Sequence, residues 1–170
     1  MNEITERIAR LRRLMETYHM DAYLVPTADF HESEYVGEHF ACRKYITGFT
    51  GSAGTAVITL DEAGLWTDGR YFVQAENQLK DSTVTLYRMG EEGVPTVDEF
   101  VKDRLKEGGC LGFDGRVVNG TWGGRLEKIA AEKNVSMHVT EDLIDLIWED
   151  RPALSKQPLF ILEEKYSGKS

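Results

Sequence analysis

Residues Tyr45 to Tyr71 read YITGFTGSAGTAVITLDEAGLWTDGRY, and the order of residue types within them decides how the chain folds. A glycine-spaced turn (Gly48, Gly51, Gly54) leads into the apolar run Thr55 to Thr59. Asp61-Glu-Ala63 interrupts it, and Gly64-Leu-Trp66 resumes it. Two short apolar runs split by an acidic turn predict an antiparallel strand pair. After Trp66 come Asp68-Gly-Arg-Tyr71 and then Phe72, Ala75 and Leu79 at helical spacing, so the pattern changes from strand to helix within a few residues.

Working outward, Ile4, Ile8, Leu11, Met15 and Tyr18 recur at steps of three to four and predict an amphipathic helix from Glu3 to Tyr18. Asp21 to Pro26 reads as a buried strand ended by proline. Thr27 to Lys44, with DFHESEYVGEHF inside it, reads as a long polar loop carrying a helical turn. Beyond the central stretch, Thr83 to Tyr87 predicts a strand. Val97 to Leu105 predicts a helix with Thr96 and Glu99 as a capping box. Cys110 to Phe113 is a short apolar run, Thr121 to Lys133 a helix, Val135 to Val139 a last strand, and Leu143, Ile144 and Ile147 one more short helix. This alternation predicts an α/β domain whose helices cover a mixed or largely parallel sheet. Proline disfavours helical geometry in the residue before it. The domain is therefore expected to span residues 1–152, with 153–170 a linker and the start of a truncated second domain.

A chain of 170 residues with 41% hydrophobic and 29% charged residues holds a sizeable core without disulfides or metal. No apolar run approaches the roughly 20 residues needed to cross a bilayer. The first residues lack the basic start and apolar centre of a secretory signal, so a cytoplasmic address and no membrane partner are expected. The net charge of −9 opposes attraction to a phosphate backbone, which argues against nucleic acid. Cys42 and Cys110 stand apart and read as inert, reduced, half-buried thiols.

Gly48, Gly51 and Gly54 match neither G-x-G-x-x-G nor a P-loop, and they precede a strand where both motifs precede a helix. They read instead as suppliers of positive φ and close backbone packing. Ser52 lacks the strand-to-helix setting of a nucleophile elbow. His31, with Asp29, Glu32 and Glu34 nearby, invites a metal reading, but Tyr35 stands where H-E-x-x-H needs its second histidine. A loop ordered by carboxylate-to-amide hydrogen bonds is the preferred reading. Asp68 is placed to cap the following helix. Arg70, at a strand end, has the geometry to hold a carboxylate or carbonyl, as a ligand or interdomain contact. Trp66, Trp122 and Trp148 read as core or interface anchors.

DAYLVPTADFHESEY (21–35), CRKYITGFTGSAGTAVIT (42–59), LWTDGRYFVQAENQL (65–79) and LIWEDRP (146–152) together resemble the amino-terminal domain of the long, three-domain Xaa-Pro aminopeptidases of the creatinase and prolidase superfamily. The resemblance implies a ribonuclease H-like α/β domain with a mixed sheet of about six strands. It also implies a non-catalytic role in substrate shaping and assembly. In the complete enzyme, the carboxy-terminal domain carries two divalent metal ions, manganese, and removes the first residue of peptides with proline second. On that reading no catalytic or metal-binding residue lies in these 170 residues, and the chain alone is inactive. The resemblance further implies that Arg70 contacts bound peptide, with Tyr71, Asp29 and His31 shaping or supporting that face, and that the full-length protein is a homodimer. The competing readings are a freestanding regulatory or binding module of the same fold and an unrelated domain holding an anion at Gly48 to Gly54.

Overall fold

The computed structural model describes residues 2–168, so the last two residues of the expected second-domain start lie outside the described residues. Helix α1 (Glu3–Thr17) begins where the Asn2 side chain accepts from the Ile4 amide and presents Ile8, Leu11 and Met15 inward. The strands are β1 (Ala22–Pro26), β2 (Thr55–Thr59), β3 (Ala63–Thr67), β4 (Thr85–Arg88), β5 (Cys110–Phe113) and β6 (Ser136–His138). Between them lie α2 (Cys42–Thr47), α3 (Phe72–Leu79), α4 (Val97–Arg104) and α5 (Gly120–Lys133).

The sheet runs β4-β3-β2-β1-β5-β6. The expected hairpin is present, with Thr55 opposite Trp66 and Ile58 opposite Ala63. Strand β1 is antiparallel to β2 on one side and parallel to β5 on the other, while β3–β4 and β5–β6 are parallel. The result is a mixed sheet of six strands.

Both faces of the sheet are buried, which is why its central strands are apolar on both sides. Tyr23, Val25, Ile58 and Leu65 meet Leu11, Met15, Ile46, Phe49, Ala75 and Ile144 on the α1, α2 and α3 face. Leu24, Val57, Trp66, Leu111 and Phe113 meet Phe100, Val101, Leu126 and Ala130 of α4 and α5 on the other. The Thr96–Glu99 capping box forms as expected.

Four local expectations are corrected. The segment expected to stay a loop as far as Lys44 becomes helical at Cys42, because Tyr45 and Ile46 are drawn into the core and Gly48, at φ 74°, closes the helix in a left-handed conformation. Leu143 to Ile147 is a succession of turns and not a helix. Asp142 Oδ1 takes the Ile144 and Asp145 amides, and a single i to i+4 bond follows, from Trp148 N to Ile144 O. Cys110 is buried, not half-buried. Asp68 does not cap α3, whose N-cap residue is Tyr71 with no side-chain hydrogen bond.

The chain leaves the sheet past a buried ionic knot. Arg151, with a side chain 7% exposed, donates to Asp142 Oδ2 at 2.6 Å, Asp145 Oδ1 at 2.9 Å and the His39 carbonyl at 2.9 Å. Its remaining nitrogen lies 3.2 Å from the Cys42 sulfur, and burial pushes that thiol up to about 12. After Pro152 the described residues are exposed, with a short α6 (Glu164–Ser167) near the end. No helix among the described residues is long and apolar enough to cross a membrane.

Candidate functional site: a cleft at the carboxyl edge of the sheet

Strand β3 ends at Thr67, and the next four residues form a turn closed by the Tyr71 amide on the Asp68 carbonyl at 3.0 Å. This turn lifts Arg70 to the rim of an open cleft of about 410 Å³ whose walls include Thr27, Ser33, Glu34, Ser52 and Met89. The opening lies beyond the carboxyl ends of β1, β3 and β4, where open α/β sheets commonly place ligands.

The Arg70 side chain is 71% exposed and folds back on Asp68, with Nε to Oδ1 at 2.8 Å and Nη2 to Oδ2 at 2.9 Å. Held this way, the Asp68 carboxyl is pushed down to about 2, chiefly by the guanidinium hydrogen bonds, and the guanidinium in turn stays firmly charged. Nη1 has no partner among the described residues and remains available at the rim.

The opposite wall is the glycine turn. Arg43, almost wholly buried, donates from Nε to Thr27 Oγ1 at 2.9 Å and from its two terminal nitrogens to the carbonyls of Phe49 and Gly51. Its hydrogen-bond partners are all neutral oxygens, and burial lowers its pKa to about 10. Three oxygens drawn from two segments therefore converge on one guanidinium, which braces the turn from inside. Thr67 Oγ1 ties the turn to β3 through the Ala53 carbonyl at 2.8 Å, and Ser52 Oγ meets the Tyr71 hydroxyl at 2.6 Å.

The structure thus brings Arg70, Tyr71 and Ser52 together. Asp29 stands one step behind. Its Oδ1 accepts from the His31 and Ser33 amides at 2.9 and 3.0 Å, an arrangement that orders the loop bearing Ser33 and Glu34 and pushes the carboxyl down to about 2, the Ser33 amide first. The loop reading of this segment is borne out. His31 is exposed on the same loop and does not line the cleft. Sequence reasoning placed Glu34 only beside His31 in a metal reading that was set aside, and missed Met89 and above all Arg43. A charged residue between Cys42 and Lys44 carries no local mark of burial, and the carbonyls that satisfy it belong to a turn several residues away.

No group of three or more His, Cys, Asp or Glu side chains gathers among the described residues as metal ligands would. These residues therefore do not fit a two-metal centre.

A sheet of this order, with its cleft at the carboxyl edge, defines a class. The chain belongs to the creatinase/prolidase N-terminal domain family, whose model matches residues 7–147. Among individual proteins it is similar to aminopeptidase P2 of Arabidopsis thaliana, 43% identical over 97% of this chain and 24% of that protein. It is also similar to the crystal structure of X-prolyl aminopeptidase from Caenorhabditis elegans, described as a cytosolic enzyme with a di-nuclear active site. The TM-score is 0.86 and the identity 33%, over 98% of this chain and 29% of that one. A third likeness is to the N-terminal domain of a cytoplasmic peptidase from Mycobacterium tuberculosis, at TM-score 0.59 and 26% identity, covering 84% of this chain and 98% of that one. The chain spans about a quarter of the length of the curated relatives it matches.

Proposed function

We propose that this chain is the substrate-shaping amino-terminal domain of a metal-dependent Xaa-Pro aminopeptidase. The full-length protein removes the first residue of peptides with proline second, acts as a cytoplasmic homodimer, and carries two manganese ions in a domain outside these residues. The domain boundary falls near Pro152, and the chain alone is catalytically silent. Arg70 contacts the peptide, Tyr71 supports it from the rim, and Asp29 and His31 belong to the loop that shapes the same face.

The observation that carries this reading is Arg70 itself. It is an exposed guanidinium fixed by Asp68 at the lip of a cleft, with one terminal nitrogen unengaged and suited to a peptide carbonyl or carboxylate. The test is kinetic and uses the full-length parent. Arg70→Ala should raise KM for longer peptides while leaving kcat on the shortest substrate near its original value. Kinetics unchanged at every peptide length would reduce Arg70 to a structural residue. Metal-dependent turnover by the 170-residue chain, abolished by a chelator, would overturn the reading of the domain as non-catalytic.

A further inference from the structure

The Arg70 cleft continues past Met89. Thr55, Met89 and Val97 line both it and a second groove of about 370 Å³ that reaches Trp122 and Arg125. The walls of this groove are largely apolar, formed by Val94, Pro95, Val97 and the two tryptophans, Trp66 and Trp122.

Its polar groups are arranged to leave one function free. The Trp66 indole N–H donates to the Pro95 carbonyl at 2.8 Å, so that wall is satisfied. Asp98 accepts the Trp122 indole N–H on Oδ1 at 2.7 Å and Arg125 Nε on Oδ2 at 2.8 Å. Both carboxylate oxygens are engaged, and both side chains that flank the groove end are oriented by them. The two terminal nitrogens of Arg125 bond to nothing among the described residues, and its side chain is 54% exposed. An apolar groove therefore ends at a half-used guanidinium. That fork matches the two oxygens of a carboxylate, and the adjacent indole favours an apolar or aromatic side chain.

We infer that this groove is a distal peptide subsite that binds a peptide's carboxyl-terminal residue, the terminal carboxylate on Arg125 and an apolar side chain against Trp122 and Pro95. The inference rests on the Arg70 cleft being a peptide site and adds where a peptide running past Met89 ends and what it must carry there. A carboxylate is the complementary charge, and the groove's continuity with the Arg70 cleft supplies the path.

The experiment uses the 170-residue chain and a ladder of peptides of the form Ala-Pro-Ala-Phe, lengthened by internal alanines, each as free acid and as carboxyl-terminal amide. Binding is followed by calorimetry. One ladder member should bind as the free acid about tenfold more tightly than as the amide, a difference in the range of a charge-assisted bidentate contact. Arg125→Gln should erase that preference while leaving thermal stability unchanged. Acid and amide binding alike at every length, a preference that survives Arg125→Gln, or no binding by any member would each overturn the subsite. Arg70→Ala separates the two readings. Loss of affinity for every peptide with the acid preference retained supports both, whereas unchanged affinity with the preference intact removes the Arg70 reading and leaves the Arg125 subsite standing.

Discussion

Arg70 grips Asp68, two residues upstream, through two parallel hydrogen bonds of 2.8 and 2.9 Å, so the side chain at the rim of the cleft is held by its own turn. A guanidinium fixed in this way loses little rotamer freedom when it meets a ligand. The carboxylate that fixes it is also a reporter.

The Asp68 carboxyl lies at about 2 in the folded chain against 3.8 for the unperturbed group, the Arg70 hydrogen bonds being the largest cause. A depressed folded pKa contributes stability above the unfolded value and loses it as pH falls through the folded one. The fork should therefore persist at pH 4 and open with a midpoint near pH 2, while its stability contribution, small because the pair is solvent-screened, is lost as pH falls from about 3.8 to 2. Carboxyl carbon NMR checks this. Arg70→Gln should move the Asp68 midpoint up toward 3.8 and leave Asp29, held by backbone amides, near 2. An unmoved Asp68 midpoint would contradict the assignment.

Arg43 holds Thr27, Phe49 and Gly51 from inside the core. Arg43→Met removes three charge-assisted bonds and strands two carbonyls, at a cost of about 2–4 kcal/mol in urea unfolding. Lysine reaches fewer of these oxygens and should rescue less than half of the loss. A loss under about 1 kcal/mol would show that water replaces the guanidinium.

Gly64 has a different reason for being glycine. A Cβ placed there would lie 2.6 Å from Trp66 Cζ3 and 2.7 Å from Tyr87 Cε2, within a pair of rings stacked at 4.1 Å. Gly64→Ala should destabilise the domain by about 1–3 kcal/mol, the range of overpacked cores, and perturb the near-ultraviolet circular dichroism of Trp66. An unchanged spectrum would mean that the rings do not stack in solution.

Arg151 and Asp142 test the knot at the chain exit. With both side chains 7% exposed, Arg151→Met leaves Asp142 with its amide donors and only a longer 3.8 Å contact to Arg116, and should cost about 3 kcal/mol, the low end for a broken buried pair. Adding Asp142→Asn should recover part of that, since the buried charge that lost its main partner is gone. A double variant no better than the single one would place the cost in lost packing.

The strands and longer helices were legible because their periodicities are local, and so was the Thr96–Glu99 capping box. The Asp29 loop was equally readable, since a carboxylate two and four residues from free amides is a short-range device. The six-residue α2 was not legible, because its helical character comes from Tyr45 and Ile46 entering a core made by distant residues. The expected helix at Leu143 had the apolar spacing but not the length to repay nucleation before Arg151-Pro152. Asp68 offered two partners, a helix terminus and a guanidinium two residues on, and the fork prevailed. At the cleft, Arg70 and Tyr71 were visible as a strand-end motif. Met89 and Arg43 were not, and Glu34 was noticed only as a neighbour of His31, since the sheet order that brings them to the cleft appears in no local pattern.

The Arg43 brace has a kinetic corollary. A wall fastened internally by three hydrogen bonds is preorganised, so on the proposed reading a peptide would spend little of its binding energy on building that surface. Related ligands of such a preformed surface would then be expected to differ chiefly in how long they stay.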